Sequence, residues 1–307
     1  MSPAAGRALT AGDGGRAFAL MHKQLDRVWR ACFEALMPGG CACINIGDAT
    51  RTLGGQFALY ANHARISDAL TDIGFTTLPD ILWRKPTNAP NKFMGSGMLP
   101  AGAYVTYEHE YILVARKGGK RTFSAAGKAR RRQSAYFWEE RNRWFSDLWQ
   151  DLRGTTQKLH RADRERSAAY PLALPHRLIC MYSLYGDLVV DPFAGTGTTL
   201  LAAAAAGRSS VGIEHDASLS DTIAATLDSA VQTGTALAEK RLADHRAFIA
   251  ARVAAGKPPK HHNAAHDVPV VTGQERALLL RVPAAITRSG TTSVSYTHLT
   301  LPTNDQV

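Results

Sequence analysis

The chain has 307 residues, 45% of them hydrophobic and 20% charged. That balance excludes a disordered or collagen-like polypeptide and suffices for a sizeable core. Its 36 Lys and Arg against 26 Asp and Glu give a formal net charge of +10, which favours polyanionic partners, nucleic acid above all. Four cysteines without a CxxC spacing signal neither a disulfide scaffold nor zinc or thioredoxin chemistry. No run of about 18 apolar residues marks a membrane span, so no membrane partner is expected. The N-terminus has no apolar segment of the secretory kind, and a reduced, cytoplasmic location is the expectation.

Residues 16–37 predict an amphipathic helix, with Phe18, Met21, Leu25, Val28, Trp29, Phe33 and Leu36 at helical spacing and Pro38-Gly39-Gly40 as its stop. Cys41 to Asp48 is a short apolar run that predicts a buried strand. Residues 62–73 predict a second helix, closed by Gly74. Leu78–Trp83 and Tyr107–Ala115 predict two further strands, with a loop-forming stretch from Pro86 to Gly97 between them. Residues 116–166 differ: the basic runs RKGGKR, KARRRQ and RADRER alternate with Tyr136, Phe137, Trp138, Trp144, Phe145 and Trp149. Leu188–Val190 predicts a strand, Thr198–Ala206 an alanine-rich helix, Ser210–Ile213 a strand, and 217–254 a helix with weak breaks. Beyond Gly256 no long periodic segment occurs. Alternating strands and helices indicate an α/β fold with a mainly parallel sheet.

The most informative segment runs from Val190 through Asp191, Pro192, Phe193, Ala194, Gly195, Thr196, Gly197, Thr198 and Thr199 to Leu200. A strand enters a glycine turn that opens a helix. Gly195 and Gly197 let the backbone turn sharply and approach a ligand, and the first helical N–H groups then face an anion. Glu214 stands 19 residues after Gly195, at the end of the next strand, where a carboxylate can accept both hydrogens of a ribose diol. The unit suits a nucleoside carrying an anionic group. It is not a P-loop, because no Lys follows the glycines, and it lacks the third glycine of a dinucleotide site.

The DPFxGxGTT string with Glu214 resembles the S-adenosylmethionine loop of the amino-group DNA methyltransferases, which make N4-methylcytosine or N6-methyladenine. Tyr170-Pro171 before Leu174-Pro175-His176 resembles the segment that precedes this loop in the family, with Ser167 where a His is usual. Asn45-Ile46-Gly47-Asp48, Trp83-Arg84-Lys85-Pro86 and His109-Glu110-Tyr111-Ile112-Leu113 resemble motifs of its catalytic half. The resemblance covers residues 16–250. It implies a Rossmann-like, S-adenosylmethionine-dependent methyltransferase sheet assembled from two halves, with a basic insert. The order of parts agrees: downstream of Ile213 too few strands remain to complete a sheet, so residues 41–47, 78–83 and 107–115 must supply them. The expected division is a catalytic half at 1–119, a target-recognition-like insert at 120–166, a cofactor half at 167–255 and a flexible tail at 256–307. The resemblance further implies S-adenosyl-L-methionine as cofactor, held by Tyr170, Asp191, Pro192, Phe193, Gly195, Gly197, Thr198, Thr199 and Glu214. Double-stranded DNA is the implied partner, contacted by Lys120, Lys128, Arg130, Arg131 and Arg132.

The family's catalytic motif, Asp or Ser followed by Pro-Pro and an aromatic residue, does not occur; Pro258-Pro259 is flanked by Lys. The chain therefore reads as a fragment lacking its first strand and catalytic loop, with no catalytic residue assigned and Asp48 the first candidate to replace the missing amine acceptor. Two other readings stay open: a nucleic-acid-binding remnant without catalysis, and a methyltransferase of RNA or another substrate. The aromatic residues at 136–149 either stack on bases or form the core of a small subdomain. Arg130–Arg132 contact phosphates or are a solvated run. His261, His262 and His266 lack the companions of a metal site and are expected in a solvated tail. Residues 293–303 break with the preceding composition and resemble translated sequencing-adaptor read-through.

Overall fold

The computed structural model describes residues 3–85, 94–152, 170–289 and 293–300, with the backbone alone at 94, 287–289 and 293–300. The chain divides into two units, Met1–Thr122 with Ser146–Gly154, and Phe123–Phe145 with Thr155–Val307.

The first unit begins with α1 (Pro3–Thr10) and the long α2 (Gly14–Ala35). Asp13 caps α2, its carboxylate accepting from Arg16 N at 2.9 Å. β1 (Cys41–Ile46) leads into the hairpin β2 (Ala49–Leu53) and β3 (Gln56–Tyr60), then α3 (Asn62–Ile73). Gly74 ends α3 at φ +111°, a left-handed turn open to glycine at little cost. β4 (Phe75–Thr77), β5 (Ile81–Arg84), the short pair β6 (Met94–Gly95) and β7 (Ala103–Tyr104), and β8 (His109–Lys117) follow. The chain later returns to this unit through β9 (Leu148–Trp149). The sheet order is β1-β8-β5-β9, with β4 also on β8. Trp29 of α2, Ile66, Ala69 and Leu70 of α3, and Phe75, Leu113 and Ala115 of the sheet form one core cluster. Each of Ile66, Leu70, Phe75 and Leu113 stabilises by roughly 1.5–3 kcal/mol when fully buried.

The second unit holds α4 (Ala125–Gln133), α5 (Trp138–Trp144), α6 (Ala173–Tyr182), β10 (Leu188–Asp191), α7 (Thr198–Ala205), β11 (Ser209–Gly212), α8 (Ser220–Asp228) and α9 (Ala230–Ala254). β12 (His261–Asn263), β13 (Val268–Val270), β14 (Arg281–Ser289) and β15 (Ser293–Thr300) complete it. β10 and β11 pair in parallel, with α7 as the crossover between them. The alanines of α7 form a thin helix surface against Trp144, Ile179 and Cys180.

Three expectations are corrected. The larger sheet is mostly antiparallel, because β8 follows β5 without a crossover helix and runs back between β5 and β1. In the second unit, β10 and β11 make a two-stranded ladder. The basic aromatic insert is not a domain: Phe137 and Trp144 are buried in the second unit, while Trp149 is buried in the first, where β9 pairs with β5. A segment this short and charged has too few apolar residues for a core of its own. Its run RADRER lies outside the described residues.

The tail expected to be flexible holds folded elements between His261 and Ser289. Val268, Val270, Leu278, Leu280 and Val282 pack with Phe137, Ala238 and Leu242. Buried Asn263 donates through Nδ2 to the carbonyls of Glu275 and Leu278, both at 2.8 Å, satisfying backbone that short strands leave unpaired. His266 is buried and accepts from Leu280 N at 2.9 Å. Three-residue strands are too short to show a period in sequence. Ser293–Thr300 pairs antiparallel with β14.

Candidate functional site

The glycine loop connects β10 to α7 in the second unit. Asp191 Oδ1 accepts from Phe193 N at 2.9 Å and starts the turn. Gly195 and Gly197 take φ +52° and +83°, left-handed values that exact a steric penalty from residues with a Cβ. A Cβ on Gly197 would stand 3.3 Å from Ile223, and one on Gly212 would stand 2.7 Å from Leu200, so the helix lies close on the strand. Glu214 leaves the end of β11 and binds the loop directly. Its Oε2 accepts from Gly195 N and its Oε1 from Asp216 N, each at 2.8 Å. A carboxylate has about four lone-pair sites, so both oxygens retain acceptor capacity. Tyr170 OH lies 2.5 Å from Thr199 Oγ1 in the first turn of α7. Burial, with the Asp191 charge, pushes the Tyr170 hydroxyl up to about 12, so it stays protonated at neutral pH. The loop thus offers backbone N–H groups, a helix N-terminus and an oriented carboxylate to one ligand.

A second polar cluster occupies the ends of β1, β5 and β8 in the first unit. The Asp48 carboxylate is fully buried. It accepts from His63 N at 3.0 Å, pairs with His63 Nδ1 at 2.6 Å and accepts from Tyr107 OH at 3.2 Å. Burial, followed by Tyr111 and Asp48, raises the Tyr107 hydroxyl, which keeps it a donor. The His63 ring lies flat on Tyr111 at 3.8 Å. Asn45 Nδ2 donates to Glu110 Oε2 at 2.7 Å, and Lys85 pairs with Glu110 Oε1. Asn62 links this cluster to α2, donating to Gly47 O at 2.8 Å and meeting His22 Nε2 at 3.0 Å. Asp48 was the candidate for a replacement amine acceptor. Its Oδ2 is shared by His63 and Tyr107 and its Oδ1 accepts from His63 N, and the side chain is fully buried.

Glu108 and Glu110 meet separate basic partners, Arg84 and Lys85. Nothing local in the sequence marks His63 as a member of the cluster, whereas Lys85 stands in the Trp83-Arg84-Lys85-Pro86 motif. The signal is the pairing of β5 and β1 with β8, which brings Asn45, Lys85 and Glu110 together.

Lys128, Arg130, Arg131 and Arg132 are exposed on α4. Ser124 caps this helix, and its three arginines lie in the last turn, where they complement the helix dipole. Lys120 is exposed but belongs to the first unit. Phe137, Trp144 and Trp149 are core residues, and Trp138 stacks on Phe248 at 5.7 Å. His262 pairs with Asp267, and no group of His, Cys, Asp and Glu among the described residues could hold a metal.

A family model described as DNA methylase matches residues 11–225. The type II methyltransferase M.MthZI of Methanothermobacter thermautotrophicus is 49% identical over 273 residues, covering 88% of this chain and 76% of that protein. The chain belongs to the N6/N4 DNA methylase family. The type II methyltransferase M.MjaI of Methanocaldococcus jannaschii is 52% identical over 200 residues, 65% of each protein. The chain thus spans less than two thirds of that relative. The protein TTHA0409 of Thermus thermophilus, solved with S-adenosyl-L-methionine, superposes with a TM-score of 0.59 at 34% identity, over 71% of this chain and 81% of that one. The family consists of S-adenosylmethionine-dependent DNA amino-methyltransferases, and DNA is the substrate class of this methylase. No described helix is long and apolar enough to cross a membrane.

Proposed function

We propose that this methylase binds S-adenosyl-L-methionine at the glycine loop and double-stranded DNA through its basic helix, for methyl transfer to N4 of cytosine or N6 of adenine. The observation that carries the cofactor site is the Glu214 carboxylate held against Gly195 N at the mouth of the loop. When bound, the cofactor supplies an electrophilic methyl on its sulfonium sulfur. Glu214 would accept from the ribose hydroxyls, and Gly195 and Gly197 admit close backbone approach. Thr198 and Thr199 open the helix whose first N–H groups would hold the cofactor's carboxylate, and Tyr170, Asp191, Pro192 and Phe193 frame the loop. Location with DNA in the cytoplasm follows from this reading.

Calorimetry tests the cofactor site. Glu214→Ala should weaken S-adenosylmethionine binding by about 1.5–3 kcal/mol, the value of a charge-assisted hydrogen bond. Glu214→Gln, which retains an acceptor, should lose less. Equal affinity in all three proteins removes Glu214 from the ribose role.

Duplex contact rests on Lys128, Arg130, Arg131 and Arg132, exposed together on α4, with Lys120 as a further cation. Each phosphate contact removed should reduce the slope of log affinity against log salt by about one unit. Replacement of Arg130, Arg131 and Arg132 by Ala should therefore flatten the slope for a mixed-sequence duplex. An unchanged slope identifies a solvated face.

A second reading, binding without transfer, is favoured by two observations. This sequence has no Asp/Ser-Pro-Pro-aromatic motif, and the Asp48 side chain is fully buried against His63 and Tyr107. Tritium transfer from labelled cofactor to mixed-sequence DNA separates the two readings.

A further inference from the structure

Helix α6 carries a thiol for which the cofactor reading has no use. Cys180 Sγ lies 3.9 Å from Nε2 of His176, four residues earlier on the same helix face. Cys180 is buried and packs with Trp144, Ala202, Ala203 and Ala206, so the sulfur sits in the contact between α6 and α7. Two largely buried guanidinium groups act on it, Arg241 from α9 and Arg208 beyond the end of α7. Burial by itself raises a thiol, as it does Cys41 and Cys43 on β1. At Cys180 burial pulls the same way, but His176, Arg241 and Arg208 outweigh it and bring the thiol down to about 6. The thiolate is the nucleophilic form of cysteine. A cavity of about 10 Å³ adjoins this cluster, and His176, Tyr185, Ala205, Ala206 and Arg241 are among the residues that line it. That is room for one molecule about the size of water. His176 therefore borders both the sulfur and the cavity.

We propose that Cys180 is a modification site for hydrogen peroxide, activated by His176, and that its oxidation loosens the glycine loop. The thiol proton passes to His176 Nε2. The sulfur then attacks one peroxide oxygen, so that an S–O bond forms and the O–O bond breaks. Hydroxide leaves and takes the proton from His176 as water. Sulfur is oxidised by two electrons, the peroxide is reduced by two, and a sulfenic acid results. Ala202 and Ala203 are fully buried, and the added oxygen overpacks the contact and pushes α6 from α7. The same two helices are tied at the glycine loop, where Tyr170 before α6 meets Thr199 of α7 at 2.5 Å. The effect on the loop rests on the cofactor reading; the oxidation does not.

The test exposes the folded full chain to hydrogen peroxide and, separately, to a bulky aromatic disulfide, and follows each cysteine by peptide mass. Cys180 should gain oxygen faster than Cys41 and Cys43 and stay untouched by the disulfide. Its rate should be nearly flat between pH 7 and pH 8, where that of an ordinary thiol rises by close to tenfold. His176→Gln, confirmed as folded by circular dichroism, should slow the oxidation by about tenfold or more at pH 7. No oxygen at Cys180 overturns the proposal, as do the steep pH dependence of an ordinary thiol, an unchanged rate in His176→Gln, or ready reaction with the disulfide. Calorimetry with S-adenosylmethionine reads the consequence. Peroxide should weaken binding by about fivefold in the wild type and leave Cys180→Ala unchanged. No binding by the reduced chain defeats the glycine-loop reading alone, whereas unchanged affinity after complete oxidation overturns the link from Cys180 to the loop.

Discussion

Glu140 and Arg241 form a buried ion pair in the second unit. Arg241 donates to both carboxylate oxygens of Glu140, at 2.6 and 2.8 Å, and both side chains are largely buried. Burial opposes the guanidinium charge, but Glu140 more than offsets it and raises the Arg241 pKa. Glu140→Gln leaves a buried cation unpaired and should cost about 3–5 kcal/mol in urea unfolding. A loss below about 1 kcal/mol, the range of solvent-exposed pairs, would show that water reaches the pair. His266 contributes to the acid side of the stability profile. Burial, then Arg241 and Arg246, lowers its pKa to about 4. In the unfolded chain it protonates near 6.5, so between those values the unfolded state binds the extra proton. The stability it contributes is complete above about 6.5 and is lost as pH falls through about 4, on the order of 3 kcal/mol in all. His245 works in the opposite sense. Burial opposes its charge, but Glu139 and the Pro269 carbonyl prevail and raise its pKa, so its contribution is present at low pH and fades as pH rises. Urea unfolding at pH 7 and pH 5 should show a loss in the wild type that shrinks in His266→Gln. An undiminished loss would assign the acid limb to other groups.

Among the elements, the β10–β11 ladder leaves one apolar face exposed. Val189 packs toward α7, but Leu188 and Val190 alternate to the other face, where Val211 lies beside Val190. Leu188 is 60% exposed, and Ile213, just beyond β11, is 58% exposed. Such a face invites association. Leu188→Thr with Ile213→Thr should reduce binding of a hydrophobic dye and slow aggregation. Stability should stay within about 0.5 kcal/mol of wild type per site, as for other surface changes. Unchanged dye binding would place the reporter surface elsewhere. The same ladder was easy to find in the sequence, because two short strands flank an alanine-rich helix bounded by Gly197 and Gly207. Helix α3 was found with its ends, since Gly74 marks the left-handed stop. The hairpin β2–β3 was missed: Thr52, Gly54 and Gly55 interrupt its apolar pattern.

At the scale of the molecule, two units have separate cores, and the chain crosses between them more than once. Calorimetric unfolding should resolve two transitions, since cooperativity follows the individual core. Glu140→Gln should lower the transition of the second unit and leave the other in place. A single transition that shifts as a whole would show that the units unfold together. By itself, the sequence determined what depends on neighbouring residues. The glycine loop with its helix, the capped and periodic helices, the apolar strands and the net charge are all of this kind, because backbone conformation and amphipathic period are written in consecutive residues. Only the tertiary structure decided which distant groups meet. Asp48 and His63 lie 15 residues apart and Asp48 and Tyr107 lie 59 apart, and they come together because α3 and β8 converge on the end of β1. The segment beyond Gly256 became a folded element because Phe137, Ala238 and Leu242 supply the apolar surface it buries. Burial is a property of pairs of surfaces, and a single stretch of chain does not specify the surface it will meet.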